Sequence, residues 1–398
     1  MTNYPKLYLG IDNCFAIKRW VEPETWIPLL KEIGVNYAEA SFDNEIDFLY
    51  SPQWYINDWF DRLTAAEEKY DFKVKSFYSG YQTYRTAGLA HPNPQMANNL
   101  VDNFFLPVLN KIKQRHCSIG FSVHTYPENV LQNPEKFYKV QKEVWDRYAK
   151  LVNYSKSHGN TPICVEQMYT PAQSPWTIKS NINFIRYVYA LNKGPIYTTI
   201  DVGHVVGQRK HRFPAKSEII DALAKQIKSN DLVIWLGGNE TYQLWDELLY
   251  NNDTLEEKAK KIMISMAKYP YLFSNNTDDC NPYKWLEELA CYSPLMHLQQ
   301  TNGISAPHAP FSKENNEKGI INGKEFLEAI KKAYDKHEKR PLENMPPIVD
   351  EIYLNFELFF PSTEPSRVVI EQMKETVAFW REFIPKDGLT VDELLAKL

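Results

Sequence analysis

Leu295-Met296-His297-Leu298-Gln299-Gln300 and Ile352-Tyr353-Leu354-Asn355-Phe356-Glu357-Leu358-Phe359 are the two runs on which the fold turns. Both are short, largely apolar and bounded by turn residues, the mark of a buried strand. Read as strands seven and eight, they complete a set that can close into a barrel. A rival lies upstream, because Leu232-Val233-Ile234-Trp235-Leu236 is also apolar and β-prone. Taken as the seventh strand, that run would give a doubly wound open sheet. The barrel is preferred because it puts 295–300 and 352–359 in the sheet, each with a potential ligand, His297 and Glu357, in its C-terminal half.

Upstream, strands are expected at 7–12, 37–41, 74–78, 118–123, 163–166 and 196–201. Segments of helical period at 24–33, 54–70, 94–115, 134–157 and 177–191 lie between them. Gly34 closes the first helix in a left-handed cap, and Lys193-Gly194-Pro195 stops the fifth. Such alternation is the pattern of parallel strands joined by crossover helices. Further helices are expected at 324–337 and 365–383. Residues 205–282 are too long for a simple connection and carry helical candidates at 217–228, 242–249 and 255–268. The expectation is therefore α/β: one (β/α)₈ TIM-barrel domain over 1–398, with a largely helical insertion at 205–282 between strands six and seven.

Composition removes several function classes. Hydrophobic residues at 43% and charged residues at 24%, mixed along the chain, suit a packed core and exclude disorder. A net charge of −5 gives no general attraction for polyanions, so nucleic acid is not an expected partner. No run reaches the ~18 apolar residues of a membrane span, and Met1 to Lys6 lacks a charged start with an apolar sequel. A cytoplasmic protein with no membrane association is expected. The 5 cysteines are odd in number and form no CxxC pair, which argues against a disulfide framework or a structural zinc and for reduced, buried thiols.

In a barrel of this kind the reacting groups lie at the C-terminal strand ends, where the loops converge on one mouth. Polar residues assigned to those ends are Asp12, Glu39, Lys75, His124, Glu166, Asp201 with His204, His297 and Glu357. Glu166, Asp201, His297 and Glu357 come from strands five to eight and suit one divalent ion. Three carboxylates with an imidazole match Mn²⁺, Co²⁺ or Mg²⁺. His124, Asp12 and Glu39 are candidates for contacts to substrate hydroxyls, with buried hydrogen bonding or loop capping as the alternative. Lys75 is read as a cation in the mouth or a barrel ion pair. His308, in the loop after strand seven, is expected at the surface.

At these positions the sequence resembles the xylose-isomerase-like barrel superfamily, in particular the sugar isomerase/epimerase branch that includes the D-tagatose 3-epimerase family. The resemblance rests on Val165-Glu166-Gln167, Asp201-Val202-Gly203-His204, His297-Leu298-Gln299 and Phe356-Glu357-Leu358. It implies that Glu166, Asp201, His297 and Glu357 hold the metal and that His204 contacts a substrate oxygen. It further implies an isomerase or epimerase of a small ketose or ketose phosphate, acting through a metal-stabilised enediolate. Glu166 and Glu357 are the candidate acid/base pair.

The chain departs from that pattern in two places. The epimerases carry an arginine a few residues after the strand-seven histidine, where this chain has Gln299-Gln300-Thr301-Asn302-Gly303. That leaves aldose–ketose isomerisation open beside epimerisation. The second departure is the 205–282 insertion, for which lid, specificity element and homo-oligomer contact are the candidate roles. Its start, Gln208-Arg209-Lys210-His211-Arg212, is the densest basic cluster, and Arg209 and Arg212 could clamp a substrate phosphate or form a solvated loop. Two other functions fit the same fold. A metal-dependent endonuclease-like hydrolase needs extra histidines and a basic groove, and strands two and three supply no histidine. A non-catalytic sugar-binding barrel predicts a broken ligand set, whereas all four positions are filled.

Overall fold

The computed structural model describes residues 3–44, 46–80, 86–122, 125–275 and 277–398. The strands are β1 (Lys6–Asp12), β2 (Tyr37–Ser41), β3 (Lys73–Ser79), β4 (Ser118–Ser122), β5 (Ile163–Glu166), β6 (Ile196–Asp201), β7 (Leu295–Leu298) and β8 (Glu351–Phe356). Each pairs in parallel with the next. β1 pairs with β2 on one side and β8 on the other, so these eight strands close. A short β9 (Leu389–Thr390) adds antiparallel to β1. The barrel expected from sequence is the observed fold, and the open sheet is excluded.

Local chemistry explains the boundaries. Gly34 ends the helix Pro23–Ile33 at φ 111°, a conformation that favours glycine, and its N–H returns to the Leu30 carbonyl. Thr177 caps Ile178–Asn192 by accepting from the Ser180 N–H. The single helix expected at 94–115 is instead Pro94–Leu100 and Leu106–Ile112 with a π turn, Val101–Phe105, between them. Pro107 has no N–H to give to the preceding turn, which accounts for the break in the α ladder.

Between β6 and β7 run the helices Val205–Arg209, Lys216–Ala224, Asn239–Leu249, Leu255–Met266 and Pro282–Leu289. The last packs against Gly323–Lys339 as a barrel helix, and the sequence reading had not singled it out. The β-prone run 232–236 forms no strand. Its Trp235 indole donates to the Leu272 carbonyl, Leu236 N–H donates to the Tyr242 hydroxyl, and Val233 is exposed. All 5 cysteines are buried free thiols. Among the described residues no helix is long and apolar enough to cross a membrane.

Candidate active site

The register of the sheet brings the polar strand ends together. Asp201 is level with His297, and Asp12 with Glu39. Around this layer lies a cavity of about 140 Å³, lined by residues that include Glu166, His204, His297 and Glu357 with Cys14, Tyr78, Met168 and Phe359. The lining thus combines ionisable groups with apolar side chains, a mixture that suits a small polar molecule.

Asp201 is fully buried, and its neighbours fix its carboxylate. Oδ1 accepts from the backbone N–H of Gly203 (2.6 Å) and of His204 (3.0 Å). Gln299 Nε2 donates to Oδ1 at 2.9 Å and to Oδ2 at 3.0 Å. Gly203 makes this possible: a Cβ there would lie 2.2 Å from Gln299 Cδ. The Asp-x-x-His spacing of Asp201 and His204 therefore has a structural meaning, a turn in which the aspartate caps the backbone that carries the histidine.

His204 Nδ1 lies 2.8 Å from the Gln167 carbonyl. A carbonyl only accepts, so Nδ1 carries a proton and donates it there. Nε2 is buried, 3.6 Å from Asp201 Oδ2, with no hydrogen-bond partner among the described residues. His297 is held from two sides. Its Nε2 is 2.8 Å from Glu39 Oε2, and its Nδ1 is 2.9 Å from Glu166 Oε1 and 3.4 Å from Glu357 Oε2. Glu39, fully buried, also accepts from Asn355 Nδ2 at 3.2 Å. It is not among the described residues lining the cavity, and its carboxylate contacts His297 and Asn355.

The electrostatics follow from this crowding. Burial opposes a charge on His297, yet the carboxylates of Glu357, Glu39 and Glu166 outweigh it and hold the imidazole well above its usual range. Burial raises Glu166 despite the nearby His297. Glu357 is driven the other way: burial would raise it, but His308, His297 and His204 together keep it well below the ordinary carboxylate range. Asp12 is raised by burial and by the charges of Glu39 and Glu357.

Glu166, Asp201, His204 and Glu357 each offer a ligand atom, all within 4.8 Å of one another. Oε2 of Glu357, like Nε2 of His204, is buried without a hydrogen-bond partner among the described residues. A divalent cation would satisfy both, and the mixed carboxylate and imidazole donors suit one. His297 Nδ1 borders the same space, while its Nε2 on Glu39 is the outer partner that a metal-bound histidine ordinarily has.

Other residues are placed differently from the sequence reading. Lys75 belongs to the opposite end of the barrel: its Nζ reaches the His116 carbonyl and sits 5.3 Å over the Tyr353 ring. Asp12 caps the turn after β1, accepting from Cys14 N–H at 2.7 Å. Arg209 donates to the carbonyls of Gly303 (3.0 Å) and Cys280 (3.3 Å), and Arg212 is paired bidentately with Glu218. Neither arginine is among the described residues lining the cavity. His308, expected at the surface, is buried, with its Nδ1 3.3 Å from Glu357 Oε2. His124 lies outside the described residues.

No family model matches the chain. D-erythrulose 1-phosphate 3-epimerase of Brucella abortus is 36% identical over 112 residues, a stretch that is 28% of this chain and 32% of that protein. A provisionally named xylose isomerase of Rhodospirillum rubrum superposes with a TM-score of 0.63 at 14% identity, covering 94% of this chain and 99% of that one. D-psicose 3-epimerase of Clostridium cellulolyticum, solved with D-tagatose, gives 0.53 at 10% identity over 94% and 98%. The chain shares the fold of the xylose-isomerase-like TIM barrels.

Proposed function

We propose that this protein is a divalent-metal-dependent isomerase or epimerase of a small ketose or ketose phosphate. The observation that carries the reading is the pair Glu166 and Glu357, two carboxylates beside one metal-sized space whose surroundings drive their proton affinities apart. The partial likeness to an epimerase of a ketose phosphate supports it. Glu166, Asp201 and Glu357 would hold the ion with one of the two histidines: His297 through Nδ1, which leaves His204 Nε2 for a substrate oxygen, or His204 itself. Mn²⁺, Co²⁺ and Mg²⁺ all accept such donors.

When bound, the ion supplies Lewis acidity that stabilises charge on a carbonyl oxygen as a neighbouring C–H is ionised. The protein supplies the proton traffic. One glutamate takes the proton from the carbon beside the carbonyl, and the other can return a proton to the opposite face, inverting that centre. Return to the former carbonyl carbon, with a hydroxyl proton moving between the oxygens, exchanges ketose for aldose instead. Gln299 and Glu39 keep Asp201 and His297 in place, and the apolar side chains of Met168 and Phe359 in the lining limit water.

The test is Glu357→Gln in the Mn²⁺-loaded protein, assayed on D-tagatose, D-erythrulose and D-erythrulose 1-phosphate. The change removes a base and a charge with little change of volume, so turnover should fall by more than the ~10²-fold expected for losing one acid/base catalyst. Near-normal turnover would overturn the assignment.

A further inference from the structure

The loop after β7 carries a histidine that the reaction outlined above leaves without a task. The loop returns to the barrel mouth through the Gln300 N–H, which donates to the Ala309 carbonyl at 2.8 Å. That return places His308 among Glu357, Phe359 and His204. Its ring lies 4.2 Å from the Phe359 ring and 5.7 Å, edge to face, from that of His204. The backbone there is left-handed, φ 50°, which an L-residue with a bulky side chain adopts at a cost. Two bonds hold it: His308 N–H donates to Gln299 Oε1 at 2.8 Å, and Phe359 N–H donates to the His308 carbonyl at 3.3 Å. Gln299 thus fixes both Asp201 and His308.

The two ring nitrogens differ. Nδ1 is hydrogen-bonded to the Glu357 backbone carbonyl at 3.3 Å, has Glu357 Oε2 nearby at 3.3 Å without hydrogen-bond geometry, and lies 3.2 Å from Gln299 Nε2. Nε2 makes no hydrogen bond among the described residues. A left-handed backbone, a ring packed against Phe359 and His204, which both line the cavity, and one nitrogen without a hydrogen bond among the described residues have a single economical explanation. We propose that His308 is a substrate-binding residue of this site, with Nδ1 anchored on Glu357 and Nε2 contacting a hydroxyl of the sugar. A hydroxyl both gives and accepts, so it can pair with Nε2 whichever ring nitrogen carries the proton. The inference rests on the ketose reading and adds the residue that selects the hydroxyl pattern.

Two variants separate the anchoring nitrogen from the contacting one. In His308→Asn the short amide can still reach the Nδ1 position and tolerates a left-handed backbone, but nothing occupies the Nε2 position. In His308→Gln the longer amide reaches toward Nε2. The Mn²⁺-loaded proteins are titrated calorimetrically with D-tagatose, D-erythrulose 1-phosphate and their singly deoxygenated analogues, with Mn²⁺ affinity and melting temperature as controls. His308→Asn is expected to keep both controls while binding the sugar about tenfold more weakly, the usual order for one lost hydrogen bond. His308→Gln should recover part of the loss, and the penalty should vanish on the analogue lacking the contacted hydroxyl. Wild-type sugar affinity in His308→Asn, or an equal penalty on every analogue, would overturn the proposal and leave His308 as a loop anchor. A wild-type protein that binds none of these ketoses would overturn the ketose reading and this inference with it.

Discussion

Replacing Glu39 by glutamine tests how the buried layer beneath the cavity works. The wild-type carboxylate is fully buried, 2.8 Å from His297 Nε2 and 3.2 Å from Asn355 Nδ2. A glutamine oxygen can accept from both, so the ring orientation survives and the main loss is one negative charge. That charge makes His297 a better donor, because a partner that holds the far N–H raises the basicity of the ligating nitrogen. Loss of such outer partners lowers metal affinity by ~10–100-fold, or about 1.4–2.7 kcal/mol. The assay is calorimetric titration of metal-free wild type and Glu39→Gln with Mn²⁺ at one pH, with melting temperature as the folding control. Unchanged affinity would refute a supporting role for Glu39. A loss beyond ~10³-fold would show that Glu39 is itself a ligand.

Two further outcomes follow from the same geometry. Because the folded-state pKa of His297 is raised, the stability it gives the metal-free protein is full below the ordinary histidine value and is lost as pH rises through the folded one. Chemical denaturation of the metal-free protein should therefore show a decline toward high pH, while Mn²⁺ affinity climbs over the same range as the ion displaces that proton; a flat affinity profile would contradict it. The double variant Arg209→Ala, Arg212→Ala should leave the preference between free and phosphorylated ketoses unchanged, since both guanidinium groups are engaged by protein acceptors. A lost preference for the phosphorylated sugar in steady-state kinetics would show that these arginines reach the substrate.

The strand-end residues on β5 to β8 were legible because each closes a short apolar run, and in a parallel barrel every such end faces the same mouth. Glu166, Asp201, His297 and Glu357 are accordingly brought together. Lys75 shows the limit of that logic. It lies early in Lys73–Ser79, and its distance along the strand, rather than membership of it, decides which end of the barrel it meets. The placement of His308 depends on a loop folding back at Ala309, a non-local event that no periodicity records. The basic run at 208–212 displayed its charge but not its partners. A local signal existed for Arg212, since Glu218 lies within a turn of the helix start and also accepts from Ala215 N–H. Glu39 was visible as a charged residue on its strand, but it sits mid-strand in Tyr37–Ser41, and its role depends on the height of its side chain within the barrel relative to His297.

The most direct measurement is proton exchange. Mn²⁺-loaded and metal-stripped protein would be incubated in D₂O with D-tagatose, D-erythrulose and D-erythrulose 1-phosphate, and carbon-bound deuterium followed by NMR. Removal and return of a proton beside the carbonyl predicts deuterium at C3 for epimerisation, or at C2 of the aldose and C1 of the recovered ketose for isomerisation, only with the ion present and lost in Glu357→Gln. Deuterium on no sugar, or equal incorporation after the metal is removed, would contradict a metal-dependent ketose isomerase or epimerase.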